Sequence, residues 1–373
     1  MPVTRSLIAP TSNPLLERAL REKLRRRAES AGSLGELEPL AIRLGLMQNS
    51  LKPAFREPQL VVFAADHGLA VDGLPGPRRG STQDQVQELL AGRWPMAAFA
   101  RTHGVEVSVV DCGVASELPG HERLLSRKIA HGTRNARVGA AMSLDQAHAA
   151  MRAGMEIADA LRGNMMACAG LGVGSHESAA LVISRLTGTP VRELIVAGPL
   201  MSADLVAHLM VVLQAAQSRH KAVDDPVEVL AAFGGYEIAV MVGAMLVAAS
   251  KRHLLMVDGM AACAALMLAS GIAAAVTDYC VFCRSHSHRG LDRALGLFQA
   301  SALLELGLEC ADGTGAMLAW PLLRGAASLL SEVPDANDPG VTRAAGPSSR
   351  LSTLIDLPEV TGEGPLDDDT AFR

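Results

Sequence analysis

Short apolar runs of strand length recur along this chain, each followed by a turn and then a stretch with helical periodicity. Leu60–Ala65 reads as a buried strand, Gln83–Thr102 as a helix and Val105–Asp111 as the next strand. A helix over Leu144–Arg162, a strand over Asn164–Ala169 and a helix over Ser178–Leu186 continue the pattern. Leu194–Ala197, Leu254–Val257 and Asp278–Cys283 read as further strands, separated by helices at Ala203–Ser218, Ile238–Lys251, Ala261–Ala269 and Leu291–Gln299. Parallel strands need a crossover, and a helix is the usual one. The alternation therefore predicts an α/β fold built on a parallel sheet, with ligands beyond the carboxyl ends of its strands.

Composition narrows the function. At 373 residues and 49% hydrophobic the chain can bury a large core, and at 3% aromatic its helices and sheet must approach through alanine, glycine and methionine. A net charge of -5 leaves no electrostatic footprint for nucleic acid. The first helix, Leu15–Ala31, is charged and carries Arg25-Arg26-Arg27 on its expected exposed side. No apolar signal core precedes it, and Leu254–Val276, the most apolar stretch, is interrupted by Asp258 and by glycines. The expectation is a cytoplasmic protein that meets no membrane, with six reduced cysteines. From Glu332 onward Pro, Gly, Ser and Asp dominate, which predicts a disordered acidic tail over 332–373.

Candidate chemistry sits in the turns. Leu306–Ala316 places one carboxylate, Asp312, before Gly313-Thr314-Gly315 and the helix Ala316–Leu330; it is either a site loop or an ordinary N-cap. Ala169–Ser175 joins a strand to a helix through Gly170, Gly172 and Gly174, a spacing that fits neither the P-loop nor the dinucleotide fingerprint. Its amides can still hold a phosphate or ribose. Asp66 and His67 stand at a strand end, where His67 is either a site residue or a satisfied core histidine. Phe233-Gly-Gly-Tyr-Glu237 reads first as close packing, with Glu237 a lesser site candidate. Cys280, Cys283, His286 and His288 are zinc-ligand types, but the spacing is too short to wrap a tetrahedron and the first pair lies on a strand, so no metal is expected.

Several of these segments, taken in order, resemble the nicotinate-nucleotide:dimethylbenzimidazole phosphoribosyltransferase family. They are Gly32–Glu38, Leu44–Gln48, Phe63–Gly68, Val109–Val114, Gly132–Asn135, Gly172–Gly174, Phe233–Ala239, Val257–Gly259 and the Asp312 segment. The resemblance implies a Rossmann-like layered sheet with helices on both faces and a small helical domain drawn from the chain ends. On that basis residues 1–55 are the N-terminal helical part, 56–300 the α/β domain and 301–331 the site loop and last helix.

The implied reaction joins nicotinate mononucleotide to a benzimidazole-type base, without metal or cofactor, giving α-ribazole phosphate. Asp312 is then the catalytic carboxylate. Asp66, His67, Asp84, Leu171, Gly172, Gly174, Ser175, Asp258, Gly313, Thr314 and Gly315 are the implied substrate contacts, with His176, Glu177 and Glu237 able to compensate for lost groups. The chain departs from the family pattern at several points. Asp312 replaces a glutamate, Gly170 a second glutamate, Ser175-His176-Glu177 an Asn-Thr-Thr run, and Asp84 takes the place of a glutamine. Val196–Met201 replaces a glycine-rich turn containing arginine, and Asp204–Gln217 lacks the lysine that relatives place near the phosphate. Two readings fit these residues: phosphoribosyl transfer to a lower-ligand base, or a catalytically impaired paralogue that binds a base or nucleotide as a partner or sensor in corrinoid metabolism. The family also implies a homodimer, for which the small-residue helix Ile238–Ala249 offers a packing face.

Overall fold

The computed structural model describes residues 8–74, 80–195 and 202–333. Its centre is a six-stranded sheet of β1 (Gln59–Ala65), β2 (Glu106–Gly113), β3 (Leu124–Ser126), β4 (Met165–Leu171), β5 (Leu254–Asp258) and β6 (Cys280–Cys283). The order is β3-β2-β1-β4-β5-β6 and every pairing is parallel. β1 is buried on successive residues from Leu60 to Ala65, so both of its faces are covered, as the unbroken apolar run requires.

The strand order reverses between β1 and β4, which opens a crevice beyond their carboxyl ends. Gly172, just past β4, approaches β1 so closely that a Cβ there would lie 1.8 Å from the Ala65 carbonyl oxygen. Only glycine fits.

In chain order the helices are α1 (Pro14–Ala31), α2 (Leu37–Met47), α3 (Thr82–Leu90), α4 (Pro95–Thr102), α5 (Leu144–Ala160), α6 (Ser175–Thr187) and α7 (Val191–Ile195). They continue with α8 (Ala203–Arg219), α9 (Pro226–Phe233), α10 (Tyr236–Ser250), α11 (Met260–Ile272), α12 (Arg289–Leu297) and α13 (Thr314–Ser331). α10 packs on α5, α11 and four strands of the sheet. Backbone meets backbone where α5 crosses α10: a Cβ on Gly154 would lie 1.8 Å from the Val240 carbonyl oxygen, and one on Gly243 would lie 1.9 Å from that of Met151. The low aromatic content thus takes the form of close helix approach. A second group, α1, α2, α4 and α13, packs together, with Trp320 of α13 buried edge-on to Phe55 at 5.0 Å.

Several sequence expectations need correction. The helix read over Gln83–Thr102 is two, α3 and α4, because Gly92 takes φ +73 and Pro95 starts a new first turn. Leu194 and Ile195, read as a strand, end the short helix α7, and the rest of that segment lies outside the described residues. Arg27 is buried rather than exposed, because it falls on the same face of α1 as Leu20 and Leu24. α10 cannot be a dimer face, since Tyr236–Leu246 is buried on every side within the chain. Beyond Val333 the expected tail lies outside the described residues.

Candidate active site

One wall of the switch-point crevice is tied together by Asp66, immediately after β1. Its Oδ2 accepts the Ala115 amide at 2.8 Å and its Oδ1 accepts the Thr82 hydroxyl at 2.5 Å. Thr82 Oγ1 in turn accepts the Val173 amide at 3.0 Å. One carboxylate therefore fixes the loops after β1, β2 and β4 and the start of α3.

The next residue, His67, is buried with Nε2 2.9 Å from Glu237 Oε1, and Ser175 donates to the same oxygen at 2.8 Å. Burial alone would lower the His67 pKa, but the adjoining Glu237 carboxylate raises it above its ordinary value. Gly235 makes room for the pair: a Cβ there would lie 2.1 Å from Glu237 Oε2 and 2.3 Å from His67 Cε1. Glu237, ranked low from sequence, is thus the buried carboxyl that joins His67 to Ser175 in this wall. Its Oε2 has no hydrogen-bond partner among the described residues.

The opposite wall is organised by Asp258 at the end of β5. Its Oδ2 accepts the Ser285 hydroxyl at 2.7 Å, the Gly313 amide at 3.0 Å and the Ala316 amide at 2.9 Å. The Gly315 amide donates to Ser285 Oγ at 2.8 Å. These amides open α13, so Asp258 and Ser285 cap that helix from far away in sequence. Thr314 turns its hydroxyl back to the Ala311 carbonyl at 2.7 Å.

Asp312 is consequently not a helix cap. Its Oδ1 lies 2.9 Å from His286 Nε2, and Gly259 at φ +93 lets its carboxyl pack against the backbone. Burial raises the Asp258 pKa to about 6, and the nearby Asp312 charge pushes the same way.

Between the two walls lies a cavity of about 360 Å³ lined by Gly170, Leu171, Gly172, Ser175 and Met260 among others, with Asp312, His176, His286, Gln85, Glu309 and Cys310 as its chemically active edge. Asp84 does not face it. The side chain of Asp84 is spent in a capping box with Ser81, whereas Gln85, one residue and about 100° further round α3, is buried at the cavity wall. Gly174 lies behind the wall against His67, at φ +88. Glu177 is buried in the first turn of α6.

His176 and His288 pack together with ring centroids 4.2 Å apart and ring planes tilted by 57°, and neither Nε2 has a hydrogen-bond partner among the described residues. Burial lowers both pKa values, so both rings stay neutral. Cys280 and Cys283 are buried in β6, away from the loop that carries the two later histidines. The pairing of His286 with Asp312 was missed from sequence. The two are 26 residues apart, and the only signal was a histidine just past a strand end.

A doubly wound parallel sheet with carboxylates and imidazoles facing a cavity at its switch point defines a Rossmann-like enzyme acting on a small molecule. A family model described as a phosphoribosyltransferase matches residues 9–341. Proteins named nicotinate-nucleotide--dimethylbenzimidazole phosphoribosyltransferase from Cupriavidus taiwanensis and Cupriavidus necator are each 40% identical over 335 residues, 89% of this chain and 96% of theirs. The crystal structure of the nicotinate-nucleotide-dimethylbenzimidazole phosphoribosyltransferase from Thermus thermophilus superposes with a TM-score of 0.80 at 31% identity, covering 89% of this chain and 100% of that one. The chain belongs to the nicotinate-nucleotide–dimethylbenzimidazole phosphoribosyltransferase family.

Proposed function

We propose that this enzyme transfers the phosphoribosyl group of nicotinate mononucleotide to 5,6-dimethylbenzimidazole or a related lower-ligand base, giving α-ribazole phosphate for assembly of the cobalamin nucleotide loop. The observation that carries this reading is the Asp312 carboxylate, which stands at the cavity free of any capping duty because Asp258 and Ser285 hold the α13 amides.

The pyridinium of nicotinate mononucleotide is already a good leaving group. When a benzimidazole nitrogen attacks ribose C1′, nicotinate departs with a neutral ring, so no metal is needed to activate it. The protein must align two planar bases across the ribose, exclude water and place negative charge where the attacking base becomes cationic. Asp312, with Asp258 behind it, supplies that charge. Gly170, Leu171, Gly172 and Ser175 offer backbone and small side chains to the ribose, and the first turn of α6 offers amides to the phosphate. We read the protein as cytoplasmic and, as the resemblance implies, a homodimer. Among the described residues no helix is long and apolar enough to cross a membrane.

The test is incubation of purified protein with nicotinate mononucleotide and a panel of benzimidazoles, purines and phenols, following nicotinate release. Base-dependent release is expected. No release with any base at high enzyme concentration overturns the reading, and tight binding without turnover favours a non-catalytic binding protein.

A further inference from the structure

The transfer proposed above requires a group to take the proton that the attacking base loses. Asp312 is the carboxylate at the cavity, and one of its oxygens is already engaged. Oδ1 lies 2.9 Å from His286 Nε2. Oδ2 is packed against Gly259 so tightly that a Cβ there would lie 1.9 Å from it. His286 is placed differently. Its imidazole lines the cavity, its Nε2 is fixed by Asp312, and its Nδ1 has no hydrogen-bond partner among the described residues.

We propose that His286, oriented by Asp312, is the general base of this site, a carboxylate–imidazole dyad whose imidazole faces the acceptor base. This rests on the transferase reading above. A nitrogen of the acceptor forms the bond to C1′. The bond from C1′ to the pyridinium nitrogen breaks, and its electron pair returns to the nicotinate ring. The N–H proton of the acceptor passes to His286 Nδ1. Asp312 acts as a positioning residue: it holds the neutral ring in the tautomer with hydrogen on Nε2 and stabilises the imidazolium that forms.

The charges around the ring suit this task. Asp312, Asp258 and Glu309 face His286 from three segments, Arg284 Nε donates to its backbone carbonyl at 3.1 Å, and the neighbouring His176 and His288 rings are neutral. Burial works to lower the His286 pKa, but its bond to Asp312 and the surrounding carboxylates raise it overall. A base raised in this way binds the proton more firmly than a free carboxylate would.

The experiment follows nicotinate release with the unaltered protein, His286→Gln and His286→Ala. His286→Gln keeps a donor for Asp312 but cannot take a proton. It is expected to lower kcat by roughly 10²–10⁴-fold with little change in KM. Added imidazole is expected to restore part of the activity of His286→Ala, and the rising limb of kcat against pH seen in the unaltered protein is expected to vanish in His286→Gln. Activity of His286→Gln within about threefold of the unaltered protein, with an unchanged pH profile, overturns the dyad while leaving the transferase reading intact. Failure of imidazole to rescue a folded His286→Ala also counts against it. No release from the unaltered protein sinks the transferase reading itself, and the dyad with it.

Discussion

His67 Nε2 and Glu237 Oε1 meet 2.9 Å apart in the interior, joining the end of β1 to the start of α10 behind the cavity wall. Ser175, which lines the cavity, hydrogen-bonds the same Glu237 oxygen, so the pair sets the position of the α6 N-terminus. Removing one member of a buried pair strands the other. Glu237→Ala is expected to cost about 3–5 kcal/mol of stability, measured by urea unfolding. A loss near zero would show that the pair is dispensable to the fold.

The same pair carries a pH signature. The folded-state pKa of His67 is raised, so the native state holds its proton more tightly than the unfolded chain does. That stabilisation is fully present below the unfolded histidine value, about 6.5, and is lost as pH rises through the folded value. Unfolding free energy is therefore expected to fall more as pH rises above about 6.5 in the unaltered protein than in His67→Gln. Equal slopes would remove His67 from the account; His286, also raised, contributes alike to both proteins.

Asp258 has the same sign but an earlier window. Its carboxyl is pushed up to about 6 by burial and by Asp312, so its contribution is complete below about pH 4 and is lost as pH rises toward 6. At neutral pH the charge is a cost. Asn at this position still offers an oxygen to Ser285, Gly313 and Ala316, whereas Ala leaves buried amides unpaired at about 1–3 kcal/mol each. Asp258→Asn is expected to be near neutral in stability at pH 7 and Asp258→Ala strongly destabilised, by thermal unfolding. Equal losses would mean that the charge itself holds the loop.

Much of this molecule is legible in its sequence, and the limits have physical causes. Leu60–Ala65 declares a doubly covered strand because every residue in it is apolar, and Gly172 and Gly259 mark turns where backbone and carboxyl come too close for a Cβ. The short run Leu194–Ile195 has no length to separate strand from helix, and periodicity carries across Gly92 until Pro95 breaks it. Site contacts were harder. Asp84 and Gln85 are neighbours in sequence, yet one caps α3 and the other faces the cavity, a distinction set by helix phase. The capping of α13 by Asp258, and the meeting of His286 with Asp312, depend on β5, β6 and α13 lying side by side, which no local pattern encodes.

Asp312 sits in a space fitted to its length. With Oδ2 against Gly259 and Oδ1 on His286, one more methylene must displace the imidazole or the backbone. Asp312→Glu is expected to lower nicotinate release by about 10-fold or more, since small misplacements at a reacting centre are costly. In a His286→Ala background the longer acid has room and reach, and it is expected to raise activity relative to His286→Ala alone. A gain from Asp312→Glu in the presence of His286 would refute the fit described here.

The phosphate offers the last test. Among the described residues that line the cavity there is no lysine or arginine, while Glu309 and Asp312 add negative charge to it. The phosphate must then rely on the amides and dipole at the start of α6, where Gly174 is the N-cap and no side chain occupies the cap. Such an N-terminus contributes about 0.3–1 kcal/mol to binding an anion, and up to about 2 in a partly buried geometry. Nicotinate mononucleotide is therefore expected to bind only about 2- to 30-fold more tightly than the uncharged nicotinate riboside. Buried Glu177 in that first turn opposes any larger preference. Calorimetric titration of both ligands decides the matter, because a ratio of several hundredfold would require a charge-assisted partner beyond the described residues of the cavity wall.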